Sequence, residues 1–217
     1  MSTAKWHAIE QLLPRYDLGL TAPGPLAVGP TVDIGLRPTV LDIGLRPTLL
    51  DIGLRPTVLE IGFGMGDATA EMAAREPHLE VIACEPHLAG VANLCRLLAD
   101  GGIENVRIHP GDALDVLDAL ADDSLAGVRA FFPDPWPRNR HHIKRLVQPS
   151  FATVTARVLA SGGIVHLATD VADYALQMAS VFTTWTPVLA PSRPMTKFER
   201  IGREAGRTIV DLAFTTG

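Results

Sequence analysis

The 217-residue sequence has few cysteines, few aromatic residues and no long apolar run. Its two cysteines, Cys84 and Cys95, are too few for a disulfide framework or a four-ligand zinc site, so we expect two buried thiols in a reducing compartment. No apolar run reaches the roughly 18 residues that a membrane helix needs. The N-terminal residues Met1–Tyr16 lack the apolar segment of a secretory signal. These absences predict a cytoplasmic protein with no membrane association.

The sequence also lacks an excess of positive charge. It holds 19 basic and 24 acidic residues, for a net charge of −5, and therefore has no global field to attract a polyanion. Any contact with nucleic acid must be local. The apolar fraction of 47% is enough for a buried core, which excludes disorder throughout the chain and fits a single domain.

A tandem repeat is present near the N-terminus. Three nearly identical nine-residue units, Asp33–Leu41, Asp42–Leu50 and Asp51–Leu59, follow one another without a gap. Units this short, interrupted by glycine and proline, offer too little apolar surface for a solenoid. We interpret residues 33–59 as a mobile or loosely docked insert whose end enters the first strand, with residues 1–32 as an extension and 57–217 as the main domain. A binding spine built on the arginine of each unit is the alternative.

From Thr57 onwards, strand-like and helix-like segments alternate. Apolar strands separated by helices predict a doubly wound α/β fold with a mostly parallel, seven-stranded sheet. Thr208–Phe214 has no crossover helix after it, so we expect it to be an antiparallel edge strand. The other predicted strands are Thr57–Ile61, Leu79–Cys84, Asn105–Ile108, Gly127–Phe132 and Gly163–Ala168, and the predicted helices are Ala68–Arg75, His87–Ala99, Ala113–Leu120, Gln148–Leu159 and Val171–Phe182.

A glycine-rich loop, Glu60–Gly66, follows the first predicted strand. Its glycines allow a ligand to approach the backbone at the start of a helix, although a plain turn would have the same composition. The dinucleotide fingerprint fits badly, because Asp67 occupies its last position and would repel a pyrophosphate. S-adenosylmethionine has no phosphate and has a cationic amino-acid end, so it tolerates the nearby carboxylates.

Further acidic residues follow the next two predicted strands. Glu85 stands nineteen residues after Gly66, where a carboxylate can accept hydrogen bonds from both ribose hydroxyls. Asp112 follows the third strand and is placed to meet an adenine edge. Each residue alone could be a cap or a turn residue. Together with Glu60 they predict a ligand site at the carboxyl ends of the strands.

The segment Phe131–Arg145 combines a buried strand, a turn stiffened by three prolines, and a cationic run. The prolines reduce the entropy of the loop, which suits a site of fixed geometry that presents Asp134 and Trp136. A rigid surface loop with solvated cations is the alternative. The adjacent His141 and His142 do not indicate a metal site, because neighbouring residues seldom share one ion.

Six motifs together carry a resemblance to a known family: LEIGFGMG, IACEPH, GDA, FFPDPWPRNRHHIKRLVQPSF, HLATD and SRPMTKFERIGR. With them the sequence resembles the bacterial tRNA (guanine-N7-)-methyltransferases from about Leu59 to Phe214, and more faintly in AIEQLLPRYDL. The resemblance implies transfer of a methyl group from S-adenosylmethionine to N7 of a guanine in the variable loop (position 46) of tRNA. It implies a monomer or homodimer with tRNA as partner and no metal.

The resemblance also implies residue roles. Asp134 would be catalytic and would contact S-adenosylmethionine. The other cofactor contacts would come from Glu60, Gly62, Gly64, Gly66, Glu85 and Asp112. The guanine would be held by Arg138, Asp170, Thr196, Lys197, Phe198 and Glu199. The tRNA would face Arg140, His141, His142, Lys144 and Arg145. Ile143 departs from the family pattern, where a lysine is common, so affinity for RNA would be lower.

The charge pattern agrees with an RNA-facing surface. Residues 138–145 carry a charge of +4 and residues 193–207 carry +3, which leaves −12 on the rest of the chain.

Methylation at N7 needs no strong base, because the lone pair of N7 attacks the sulfonium methyl directly. The alternatives are a methyltransferase acting on another RNA or a small molecule, and a non-enzymatic RNA-binding module, which would have no use for the acidic residues.

Overall fold

A computed structural model describes residues 2–19 and 55–216. Within them the strands are β1 (Thr57–Ile61), β2 (Glu80–Cys84), β3 (Val106–His109), β4 (Leu125–Phe131), β5 (Leu159–Thr169), β6 (Thr186–Pro187) and β7 (Val210–Thr215). The α-helices are α1 (Thr3–Tyr16), α2 (Asp67–Arg75), α3 (Leu88–Gly101), α4 (Ala113–Ala119), α5 (Pro149–Val158), α6 (Ala172–Val181) and α7 (Lys197–Glu204), and a 3₁₀ helix spans Asn139–Lys144.

The seven strands form one sheet in the order β3-β2-β1-β4-β5-β7-β6. The first five strands are parallel, whereas β7 pairs antiparallel with both β5 and β6. The chain reverses its direction of travel across the sheet between β1 and β4. In doubly wound sheets this switch point, at the carboxyl ends of the strands, is where ligands bind.

The predicted doubly wound, mostly parallel seven-stranded sheet is confirmed. The predicted antiparallel strand exists as Val210–Thr215, but the two-residue β6 lies outside it at the edge. Helices α1 and α7 and the 3₁₀ helix were missed. Helix α7 has only eight residues, and Phe198 and Ile201 are its only large apolar side chains, so its apolar pattern is too short to indicate a helix. Its cap and its ion pairs stabilise it instead.

Helices cover both faces of the sheet. On one face, Leu59 and Val128 pack with Phe151 of α5 and Tyr174 of α6. On the other face, the core includes Val81 of β2, Leu94 and Leu98 of α3, and Tyr16 of α1. Helix α1, which lies in the predicted N-terminal extension, therefore packs onto α3 and β3 of the sheet domain.

The structure bears on three further expectations. Cys84 and Cys95 are free and buried, as predicted. Residues 20–54, which include the first two repeat units and the start of the third, lie outside the described part of the chain. The end of the third unit, Thr57–Leu59, forms the first residues of β1. Among the residues that the structure describes, no helix has the length and apolar character to cross a bilayer.

Candidate active site

Five acidic residues stand at the carboxyl edge of the sheet, one near the end of each parallel strand. They are Glu60 on β1, Glu85 after β2, Asp112 after β3, Asp134 after β4 and Asp170 after β5. Parallel strands place their carboxyl ends at one edge, so this arrangement follows from the topology. The sequence-predicted acidic residues are therefore brought to the same edge.

The glycine-rich loop lies in backbone contact with α3. Gly66, the N-cap of α2, has φ +81°, a left-handed conformation that favours glycine. A Cβ atom placed on Gly90 of α3 would lie 1.9 Å from the carbonyl oxygen of Gly64. The loop and the helix can approach this closely only because residue 90 has no side chain.

Glu85 connects this loop to the end of β2. Its side chain is buried, and Oε2 accepts a hydrogen bond of 2.9 Å from the backbone N–H of Gly64. Oε1 accepts from the backbone N–H of His87 at 2.9 Å and lies 2.7 Å from Nδ1 of that residue. A carboxylate offers about four acceptor positions, and these three contacts leave one on Oε2 for a ribose hydroxyl. His87 is a contributor to the site that sequence analysis missed.

Glu60 carries an unsatisfied buried oxygen. Its Oε1 accepts a 3.0 Å hydrogen bond from Thr69, whereas Oε2 has no hydrogen-bond partner among the described residues. Burial raises the pKa of Glu60 to about 7, although Arg129 and Thr69 act in the opposite direction. A buried carboxylate of this kind is suited to an incoming ammonium group. The cationic amino-acid end of S-adenosylmethionine would supply that group, so the residues present fit this cofactor.

Asp112 is the N-cap of α4. Its Oδ1 accepts a 3.0 Å hydrogen bond from the backbone N–H of Leu114, and the residue is exposed. The capping role, which sequence analysis left open, is therefore present. A cofactor contact by the same side chain stays a prediction.

The loop between β4 and the 3₁₀ helix has a strained backbone. Phe132 and Trp136 have φ values of 54° and 44°, in the left-handed region that residues other than glycine rarely adopt. Asp134 lies between them and is exposed. The Lys144 Nζ lies 4.9 Å from the centre of the Trp136 ring. Strained residues persist only where the surrounding structure holds them in place, and they are found most often at functional sites.

Arg145 corrects the sequence prediction, because it does not face the solvent. Its side chain is 1% exposed. Nε donates to the carbonyl of Pro135 at 2.7 Å, and the two Nη atoms donate to Gln177 and Asp173 at 2.7 and 2.6 Å. The guanidinium carbon lies 4.6 Å from the centre of the Tyr174 ring. Arg145 therefore fastens the strained loop to α6 and is not available to a phosphate.

The other predicted RNA-facing residues differ in their exposure. Arg140 and Lys144 are exposed, and His141 and His142 are half-buried. His142 Nε2 lies 3.0 Å from a nitrogen of Arg145, which adds to the anchoring of the loop. Arg138, predicted to hold the guanine, is exposed at the N-cap of the 3₁₀ helix. The cationic surface is thus smaller than the sequence count suggested.

Helix α7 brings the predicted guanine-binding residues to the cofactor loop. Thr196 caps the helix, and its Oγ1 accepts a 3.1 Å hydrogen bond from the N–H of Glu199. The Cε2 atom of Phe198 lies 3.9 Å from where a Cβ atom on Gly64 would be. The exposed Phe198 ring therefore lies beside the glycine-rich loop, and Lys197 is exposed next to it.

Asp170 and Glu199 are both engaged by arginines. Asp170 Oδ2 accepts from Arg207 at 2.7 Å, and a Cβ atom on Gly202 of α7 would lie only 2.8 Å from the same oxygen. Glu199 is buried, and accepts from Arg193 at 2.6 Å and from Arg203 at 2.8 Å. Helix α7 therefore joins the end of β5 to the glycine-rich loop. Arg193 was not among the predicted site residues, and in the sequence it is only one of five cations in the basic segment 193–207.

The fold and this edge of the sheet define a class of protein. A doubly wound sheet with a glycine-rich loop and acidic strand ends is the architecture of S-adenosylmethionine-dependent methyltransferases, and solved structures of that class share the fold. The 16S rRNA methyltransferase KamB matches with a TM-score of 0.55 and 16% identity over 75% of this chain and 88% of that one. A geranyl diphosphate methyltransferase matches with a TM-score of 0.54 and 13% identity, covering 76% and 72%. These low identities show the fold alone.

Sequence comparison gives the family. Residues 54–212 match the family described as "Putative methyltransferase", and the chain belongs to it. The curated tRNA (guanine-N(7)-)-methyltransferase of Streptomyces avermitilis is 46% identical over 163 residues, which cover 70% of this chain and 56% of that protein. The Neisseria meningitidis serogroup C protein of that name is 42% identical over 161 residues, which cover 70% and 68%. The chain thus spans less than two thirds of the Streptomyces relative.

Proposed function

We propose that the protein transfers the methyl group of S-adenosylmethionine to N7 of a guanine in the variable loop of tRNA. The observation that carries this proposal is the position of Phe198, whose ring lies 3.9 Å from where a Cβ atom on Gly64 would be, because it brings the predicted guanine-binding segment beside the predicted cofactor loop. The names of the relatives, which are 42–46% identical, support the same acceptor.

The cofactor would be held at the switch point of the sheet. Glu60 would offer its unsatisfied oxygen to the amino group. Glu85 would accept from a ribose hydroxyl, and Asp112 would contact the adenine. Gly62 and Gly64 would leave room for the ligand to approach the backbone. Gly66 would act through the shape of the loop, since its φ is +81° and a Cβ atom there would lie 2.8 Å from Leu94. When bound, S-adenosylmethionine would supply an electrophilic methyl group on its sulfonium centre.

The chain's own residues then act mainly by positioning. The N7 lone pair is nucleophilic without deprotonation, so holding the reacting atoms in line can contribute roughly 7–11 kcal/mol when fully realised. Asp134 would orient the guanine and stabilise the positive charge that develops on the purine. The strained loop, fastened by Arg145 at the carbonyl of Pro135, keeps this carboxylate in place.

The guanine would lie beside the N-terminal end of α7, near Phe198 and the glycine-rich loop. The carboxylates of Asp170 and Glu199 can accept from N1–H and from the exocyclic amino group, the donors that distinguish guanine from adenine. Phe198 offers an exposed ring on which an unstacked base can stack. Arg140 and Lys144 would contact phosphates, since both are exposed on the adjoining 3₁₀ helix. We propose a cytoplasmic enzyme that acts as a monomer or homodimer.

Transfer of labelled methyl from S-adenosylmethionine to unmodified tRNA tests the proposal. A tRNA with the variable-loop guanine changed to adenine is the control, and mapping of the modified base locates the product. We expect label at N7 of that guanine and none in the control. Label on both tRNAs would indicate another acceptor position, and cofactor binding without transfer would point to another RNA or a small molecule.

A further inference from the structure

Arg193 lies between α7 and the strained loop that follows β4. It belongs to the segment before α7, and its side chain is only 7% exposed. Its Nε and Nη2 atoms donate to the two carboxylate oxygens of Asp211 at 2.7 and 2.9 Å. Its Nη1 donates to Oε2 of Glu199 at 2.6 Å. One buried guanidinium therefore binds two carboxylates that are twelve residues apart in the sequence.

The same guanidinium lies over two aromatic rings at the start of the strained loop. Its central carbon lies 5.0 Å from the ring centre of Phe131 and 5.5 Å from that of Phe132. Phe132 has a φ of 54° and stands two residues before Asp134. A cation over an aromatic ring is stabilising, so Arg193 favours the ring position that accompanies this unusual backbone.

Asp211 connects Arg193 to the rigid centre of the fold. It lies on β7, opposite Ala168 of β5, and its carboxylate is 3.0 Å from Nε2 of the buried His166. The ring of His166 packs edge-on against Phe131, with 4.8 Å between ring centres. The guanidinium is thus held by the sheet on one side, and it contacts the loop and α7 on the other.

We propose that Arg193 is a positioning residue that sets the distance between Asp134 and Glu199, and so places the guanine relative to the methyl group. This inference rests on the proposed function. Arg193 would act through two contacts, one with the aromatic rings before Asp134 and one with the carboxylate of Glu199. Lysine cannot replace it, because one ammonium cannot bind both carboxylates in the same planar arrangement.

Arg203 provides a matched control. It donates to the other oxygen of Glu199 at 2.8 Å, but from a side chain that is 58% exposed. Arg203→Lys replaces the guanidinium that binds Oε1 of Glu199 with an ammonium group. It leaves the contacts of Arg193 with Asp211 and with the phenyl rings unaltered. A difference between the two variants therefore reports on what Arg193 does beyond neutralising Glu199.

The test compares Arg193→Lys and Arg203→Lys in methyl transfer to tRNA, together with the Kd for S-adenosylmethionine and the Tm. We expect Arg193→Lys to lower kcat by about 10- to 100-fold, because small misplacements of reacting groups are costly. Its cofactor Kd should stay within about twofold of wild type, since Glu60 and Glu85 are unchanged. Arg203→Lys should change kcat by less than about threefold.

A second variant serves if Arg193→Lys fails to fold. Asp211→Asn keeps Arg193 and weakens its anchor to the sheet, and should lower kcat with an unchanged cofactor Kd. Wild-type kcat in both Arg193→Lys and Asp211→Asn would overturn the inference, and so would a parallel loss of kcat and cofactor binding. A wild-type chain that binds the cofactor but does not methylate tRNA would instead refute the proposed function, and this inference with it.

Discussion

Replacing Gly90 with alanine is a direct test of how the cofactor loop is held. The new methyl group would lie 1.9 Å from the carbonyl oxygen of Gly64 and 3.4 Å from Cγ of Glu85. Ordinary contacts begin near 3.4 Å, so the loop and α3 must separate by about 1.5 Å. Backbone lies on both sides of this contact, and a change of rotamer cannot relieve it.

The expected effects on stability and on binding differ in size. Alanine favours a helix by about 1 kcal/mol over glycine, whereas overpacking costs about 1–3 kcal/mol. These two effects leave a net loss of at most about 2 kcal/mol. Displacing Gly64 also breaks its hydrogen bond to the Glu85 carboxylate, which is present without cofactor and contributes about 1.5–3 kcal/mol to stability, so the Tm should fall by up to roughly 20 °C. The displaced loop no longer presents the arrangement that the cofactor needs, and we expect cofactor affinity to fall by about 10-fold or more.

Titration calorimetry with S-adenosylmethionine measures the affinity, and thermal unfolding measures the stability. Gly101→Ala is the matched control, because it adds the same methyl group to the same helix and meets only the side chain of Ile103, at 3.2 Å. The control should bind the cofactor normally. A Gly90→Ala protein with wild-type affinity would show that contact with α3 does not set the shape of the loop.

Three further predictions concern single side chains. Burial raises the pKa of Glu60 from 4.5 to about 7, so the folded chain binds this proton more tightly than the unfolded chain does. The free energy of unfolding should therefore fall by on the order of 3 kcal/mol as the pH rises from about 4.5 to 7. Without cofactor, Glu60→Gln should therefore raise the Tm at pH 8 and have little effect at pH 4; an equal change at both pH values would contradict this. Asp134→Asn should lower kcat by about 100-fold or more, because the neutral amide cannot stabilise the developing charge, and a fully active variant would exclude this role. Lys144→Ala should flatten the salt dependence of tRNA binding by a slope of roughly 0.7–0.9, and an unchanged slope would mean that Lys144 touches no phosphate.

The acidic half of the site could be predicted from the sequence for a physical reason. Residues that follow parallel strands must meet at one edge, so Glu60, Glu85 and Asp134 converge as soon as the strands are recognised. The contacts that hold these residues could not be predicted in this way. Gly90 meets Gly64 through backbone atoms, and no residue pattern signals that distance.

The basic half of the site shows the opposite case. The family resemblance implied that Arg145 faces the tRNA, and its side chain is buried instead. Its partner Asp173 lies 28 residues later on α6, and a pairing across that separation leaves no local pattern. Arg193 was hidden for the same reason, because its partner Asp211 is 18 residues away on β7. Burial of an arginine depends on where a distant carboxylate is placed by the fold.

The strained loop has a consequence for how the chain could change over time. Phe132 and Trp136 each occupy a backbone conformation that costs about 1–3 kcal/mol, and glycine at either position would relieve that cost. The rings offset part of that cost, because Arg193 lies 5.5 Å from the centre of the Phe132 ring and Lys144 lies 4.9 Å from that of Trp136. A change to glycine at either position would therefore exchange backbone strain for the loss of a contact with a cation. The rest of the domain must supply the folding free energy that holds Asp134 between these two strained residues.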